Sequence, residues 1–165
     1  MLIAACVHGD EDVIRGLLSL GHDSNIADDL GRTPLMHAAL NAQPEATRLL
    51  LDAGASLNAA DAYRHTPLMA CFSSFFVGFA WDVDFAGRNR QVARMLLEAG
   101  ADVMAQDLFG ATPLTYAWVN TQLEAQLDFV LPHHLYHVSM YDMLQQHAIS
   151  FQAATITSSS AAAAA

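Results

Sequence analysis

The triplet Thr-Pro-Leu occurs three times at related spacing, and this recurrence limits what the chain can fold into more than any other feature. Thr33-Pro34-Leu35 returns as Thr66-Pro67-Leu68, 33 positions on, and as Thr112-Pro113-Leu114 after a further 46. A second marker moves in step: Leu17-Leu18 with Gly21, Leu50-Leu51 with Gly54, and Leu96-Leu97 with Gly100 stand apart by the same 33 and 46 positions. The period is therefore 33, and one unit carries 13 extra residues. A unit this short cannot bury an apolar face alone, so consecutive copies must stack and share one core.

Each recurring position has a local role. Thr33, Thr66 and Thr112 are placed to cap a helix by accepting a bond from an unpaired backbone N–H. The Pro that follows suits the first helical position, where its missing donor costs nothing. Gly21, Gly54 and Gly100 come just after a Leu-rich second helix, where a left-handed residue is expected; Gly31 and Gly110 fill the same need inside a turn. Ala5, Ala38 and Ala39 let neighbouring helices approach closely. Leu17, Leu18, Leu49, Leu50, Leu96 and Leu97 supply the core shared between units.

A period of 33 with Thr-Pro-Leu at a helix start resembles the ankyrin repeat. The segments GHDSNIADDLGRTPLMHAA (21–39), GASLNAADAYRHTPLMACF (54–72) and GADVMAQDLFGATPLTYAW (100–118) each look like an ankyrin hairpin entering its first helix. On the same register Leu2, Ala5 and Cys6 fall where Leu35, Ala38 and Ala39 fall, so the chain opens inside a first unit that lacks its hairpin. The resemblance covers residues 2–131. It implies an all-α ankyrin-repeat solenoid of stacked helix-turn-helix units with hairpin fingers, one unit carrying the 13-residue insertion. It also implies a concave side, made of hairpin tips and inner helices, that receives a partner protein. Carried over by position, the tips are Asp29, Leu30 and Arg32; Ala62, Tyr63 and His65, with Arg64 between; and Leu108, Phe109 and Ala111. Met36, His37, Met69 and Tyr116 take the corresponding places on the inner helices. Tyr63, Arg64, Phe109 and Tyr116 are the expected hot spots, because aromatic residues and Arg dominate interface energetics.

Four departures from the repeat give the chain its individuality. Arg64 stands where the other hairpins have Gly. One expectation is that this turn takes another shape; the other is an Arg displayed at a finger tip despite an unfavourable positive φ. The insertion after Phe72 places Phe72, Phe75, Phe76 and Phe79 at helical spacing, which predicts that the first helix of this unit continues for about two turns. A loop over 80–87 should then bring the chain back to a second helix bearing Arg88, Arg90 and Arg94. The insertion's aromatics either enlarge the core or dock a partner, with Trp81 and Phe85 the outward candidates. Phe72 and Trp118 put bulk where Ala39 stands, and they are expected to lie near each other in successive units. The fourth unit decays: a second helix over 121–131, Pro132-His133 in place of the Leu-Gly stop, and a closing helix over 134–148. The domain is expected to span 1–150, with 151–165 a disordered tail or an artificial remnant.

Composition narrows the function classes. The formal net charge of −10, with every basic residue an Arg, opposes phosphate backbones and argues against nucleic-acid binding. It suits encounter with a basic or neutral protein. No run of 18 apolar residues exists, so no membrane span is expected. Cys6 and Cys71 read as reduced, buried thiols. Ile3-Ala4-Ala5-Cys6 resembles a lipoprotein cleavage box, but no basic residue precedes it and the repeat register explains the same residues; the chain is expected to be cytoplasmic. His133, His134, His137 and His147 cluster in sequence, yet a zinc site needs three or four converging ligands. No phosphate-binding Gly-rich loop and no nucleophile elbow is present. Asp10-Glu11-Asp12 and Asp28-Asp29 suit the positive ends of helices. The reading is a non-catalytic protein-binding scaffold with no metal, no cofactor and no small-molecule substrate. An immunity or inhibitor protein that occludes an enzyme is the second reading, and a metal-dependent enzyme using the C-terminal histidines the third.

Overall fold

A computed structural model describes residues 1–73, 83–119 and 144–149. Among these the chain is helical, with no strand. The helices are α1 (Leu2–His8), α2 (Glu11–Ser19), α3 (Pro34–Leu40), α4 (Pro44–Asp52), α5 (Pro67–Ser73) and α6 (Val83–Glu98), followed by α7 over 113–119 and α8 over 144–149. They pair as α1/α2, α3/α4 and α5/α6. An inner row runs α1, α3, α5 and an outer row α2, α4, α6, each helix packed on its neighbour in the row.

The three Thr-Pro-Leu triplets begin equivalent helices. Thr33 and Thr66 accept at Oγ1 from the N–H of Met36 and Met69, each at 3.4 Å, and Thr112 accepts from Thr115 at 3.3 Å. The outer helices end alike. Gly21, Gly54 and Gly100 have φ of 80°, 76° and 94°. In each case the Gly and the next residue donate back into the last turn, as in His22 to the Leu17 carbonyl, Ala55 to Leu50 and Ala101 to Leu96, which satisfies carbonyls the helix end leaves open. Between the rows lies one core: Leu2, Ile14, Leu35, Leu50, Leu68, Leu96 and Leu144 are all buried in it. Leu144 brings α8 onto the same core.

Arg64 does not change the shape of its turn. Its φ is 64°, beside 77° for Gly31 and 76° for Gly110, so the alternative shape is not adopted. The reason is the hairpin's own bonding. Arg64 N–H donates to the Asp61 carbonyl at 2.9 Å, as Gly31 does to Asp28 and Gly110 to Asp107, and this closure holds the left-handed residue in place.

The insertion also differs from expectation. The loop expected over 80–87 is helical from Val83 onward. On the repeat register α4 corresponds to 90–98, so residues 83–89 are an N-terminal extension of the outer helix. Asn89 anchors it: its amide donates to the Cys71 carbonyl at 3.1 Å while the Cys71 thiol donates to Asn89 Oδ1 at 2.6 Å. Gly87 reads as a loop residue, but in a helix it costs only about 1 kcal/mol against Ala. Phe72 is fully buried, whereas Trp118 is half exposed, so their matching register does not give them matching environments. Phe75, Phe76, Phe79 and Trp81, the helix expected over 121–131, most of that over 134–148 and the tail from 151 lie outside the described residues.

Candidate functional site

Each hairpin is built on one Asp, five residues before the capping Thr. Asp28 Oδ1 accepts from the N–H groups of Leu30 and Arg32, Asp61 Oδ1 from Tyr63 and His65, and Asp107 Oδ1 from Phe109 and Ala111, all at 2.8–3.0 Å. This carboxylate turn is what brings the tips to the same height in every unit. Successive fingers are then joined by backbone bonds in one register: Ala62 N–H to the Leu30 carbonyl at 2.8 Å, and Leu108 N–H to the Tyr63 carbonyl at 3.1 Å. At the hairpin bases Asn25 accepts from Ser56 N–H and Asn58 from Asp102 N–H. The fingers therefore form one ribbon rather than three independent loops.

The second oxygen of each Asp organises side chains along the groove. Asp28 Oδ2 meets Arg32 at 2.9 Å and His37 Nε2 at 3.0 Å. Asp61 Oδ2 meets His65 Nδ1 at 3.2 Å. Asp107 Oδ2 accepts from the Tyr116 hydroxyl at 2.8 Å, and that hydroxyl lies 3.1 Å from His65 Nε2. A polar chain thus runs Asp61–His65–Tyr116–Asp107 from one unit into the next. Tyr63 stacks on the His65 ring with centroids 5.8 Å apart, and Tyr116 meets it edge-on.

Charge behaviour follows from these contacts. Burial pushes the Asp28 carboxyl up, but the Arg32 and Leu30 N–H groups and the His37 and Arg32 side chains outweigh it and carry the group well below its ordinary value. Burial likewise opposes ionisation of Asp107, and the Tyr116 hydroxyl with the Ala111 and Phe109 N–H groups reverses the sign. Tyr116 is pushed up to about 12, by burial first and by Asp107 beside it. The cysteines are chemically quiet: burial raises Cys6 to about 12 and lifts Cys71 higher still.

Between the hairpins and the inner helices lies a groove with a cavity of about 250 Å³. Leu30, Arg32, Tyr63 and His65 line it from the fingers, and Met36, His37, Leu40, Ala70 and Ser73 from α3 and α5. Six residues singled out in the sequence therefore meet at one place. The others do not. Arg64 and Asp29 are exposed at the tips, and Phe109 projects further still, 85% exposed. Tyr116 is pinned by its hydroxyl. Phe85 is half-buried on the outer helix α6 with Arg88 5.9 Å from its ring, away from the groove-forming row.

The inner-helix positions need correction as displayed contacts. Met36 is 3% exposed, His37 8% and Met69 0%. The cause is local: Met36 stands three residues after the cap, and its sulfur folds back to accept the Thr33 N–H at 3.4 Å. Met36 and His37 form the floor of the cavity, and Met69 belongs to the interior. The sequence reading missed Asp28, Asp61 and Asp107 as hairpin organisers and Asn25 and Asn58 as ties. Their signal was present, since both sets recur at the spacing of the Thr-Pro-Leu triplets. Among the described residues no three His, Cys, Asp or Glu side chains converge as a metal site would require, and no helix is long and apolar enough to cross a membrane.

Stacked helix pairs edged by a ribbon of hairpins define a repeat solenoid. The family model for ankyrin repeats, in three copies, matches residues 1–107, and the chain belongs to the ankyrin-repeat family. Ankyrin repeats generally mediate protein–protein interaction, and the family is typically non-enzymatic. No curated protein gives a sequence match to the chain.

Proposed function

We propose that this chain is a non-catalytic scaffold that grips another protein through the groove and the finger tips. The observation that carries the reading is the row of large apolar side chains left in solvent on consecutive fingers: Leu30 at 41% exposure, Tyr63 at 46%, Leu108 at 58% and Phe109 at 85%. Isolated exposed apolar residues need no explanation, but a row held in register by backbone bonds is what an interface uses. Beneath it the Asp turns and the His65–Tyr116 bridge fix the tips, so little ordering remains to be done on binding. The two buried thiols accord with a reducing compartment such as the cytoplasm.

Affinity purification from the native host, with partners identified by mass spectrometry, tests the proposal. Recovery of a partner by the natural protein should be lost when Tyr63, Arg64 and Phe109 are all changed to Ala. Unchanged recovery by a folded triple variant rejects the reading. A hydrolase as the recovered partner would make the protein an inhibitor acting by the same contacts.

A further inference from the structure

The groove's chemistry also defines what it receives. We propose that its occupant is a protein segment in which one large apolar side chain is flanked by Lys or Arg. This rests on the concave-face reading above and adds the partner's chemical character.

The apolar requirement comes from the cavity. Its volume of about 250 Å³ is the scale of one bulky side chain, and Leu30, Met36, Leu40, Tyr63 and Ala70 give it apolar walls. The cationic requirement comes from the distribution of fixed charge. The inner helices α1, α3, α5 and α7 contain no Asp, Glu, Lys or Arg. Charge near the groove is therefore set by the hairpin tips 28–32, 61–65 and 107–111, which carry Asp28, Asp29, Asp61 and Asp107 against Arg32 and Arg64. Arg32 and Asp28 offset each other through two contacts of 2.9 Å, which leaves Asp29, Asp61 and Asp107 against Arg64. Asp61 borders the cavity with its side chain only 5% exposed, and its charge lies beside the exposed ring of Tyr63, whose face attracts an ammonium or guanidinium group through the ring quadrupole. A groove with largely apolar walls and an acidic rim concentrates a basic segment before contact.

The test is selection of a phage-displayed random dodecapeptide library on the full chain. The selected peptide is then synthesised and its affinity measured by fluorescence polarisation. The proposal expects enrichment of peptides with Lys or Arg beside Phe, Leu, Ile or Met. Ala70→Phe, which fills the cavity, and Tyr63→Ala, which removes an exposed wall, should each weaken binding about tenfold or more, as loss of an interface anchor does. Raising the salt concentration should weaken it further. Enrichment of acidic or uncharged peptides, or no enrichment, overturns the proposal. Acidic peptides still blocked by Ala70→Phe would refute the partner chemistry and leave the concave site standing. Basic-apolar peptides indifferent to both variants would refute the site.

Discussion

Arg64 carries a left-handed backbone, φ 64°, at a position where two sister hairpins use Gly. A side chain there costs about 1–2 kcal/mol. Arg64→Gly should therefore stabilise the fold by about 1 kcal/mol, seen as a higher denaturant midpoint with unchanged slope. If it also weakens partner capture, the strain is retained for contact. Asp107 makes the opposite case. Its side chain is 1% exposed and accepts from two backbone N–H groups and Tyr116. Asp107→Asn should cost about 2 kcal/mol near neutral pH, the scale of hydrogen bonds to a charged group. The sign with pH follows from the lowered carboxyls of Asp28 and Asp107. Their stabilisation is complete above the unfolded-state value of about 4 and disappears as the pH falls through the folded-state values. The stability gap between the natural protein and Asp107→Asn should thus narrow on acidification from neutrality to about pH 3. A gap that stays constant would contradict the assignment.

At the scale of elements, the ties between units are side chains at repeating positions. Asn58 accepts from Asp102 N–H at 2.9 Å, 44 residues away, and Asn58→Ala should cost about 1 kcal/mol in thermal or denaturant unfolding. Phe72, fully buried on α5, should cost about 3–5 kcal/mol when cut to Ala. Helix order, caps and stops were legible in the sequence because Thr-Pro-Leu and the Leu-Leu…Gly stop encode local geometry that no distant residue can override. The Asp turns were legible by the same register, but a lone Asp near a helix start has a bland reading and hides its role. The burial of Met36 and Met69 was not legible. It depends on where each side chain turns, as when the Met36 sulfur folds back onto the Thr33 N–H, and spacing alone does not report that. The helical start at Val83 was hidden for a related reason, since the run up to Gly87 looks like a loop until Asn89 is found bonded to Cys71.

Over the whole molecule the outer helices α2 and α4 bear ordinary surface charge, including Arg48 paired with Glu45 and Asp52. The inner row is uncharged, and the hairpins combine acidic groups with exposed Leu, Tyr and Phe. One face is thereby separated in character from the other, and the ribbon of hairpins fixes its shape in advance of any partner. The fold supplies the class of function, and on the proposal above the groove supplies its specificity. Hydrogen exchange on the chain with and without its captured partner tests this division most directly. Slowed exchange should concentrate on the three fingers, at 28–32, 61–65 and 107–111, with α2 and α4 unchanged. Protection confined to α2 and α4, with the fingers exchanging as before, would contradict the account.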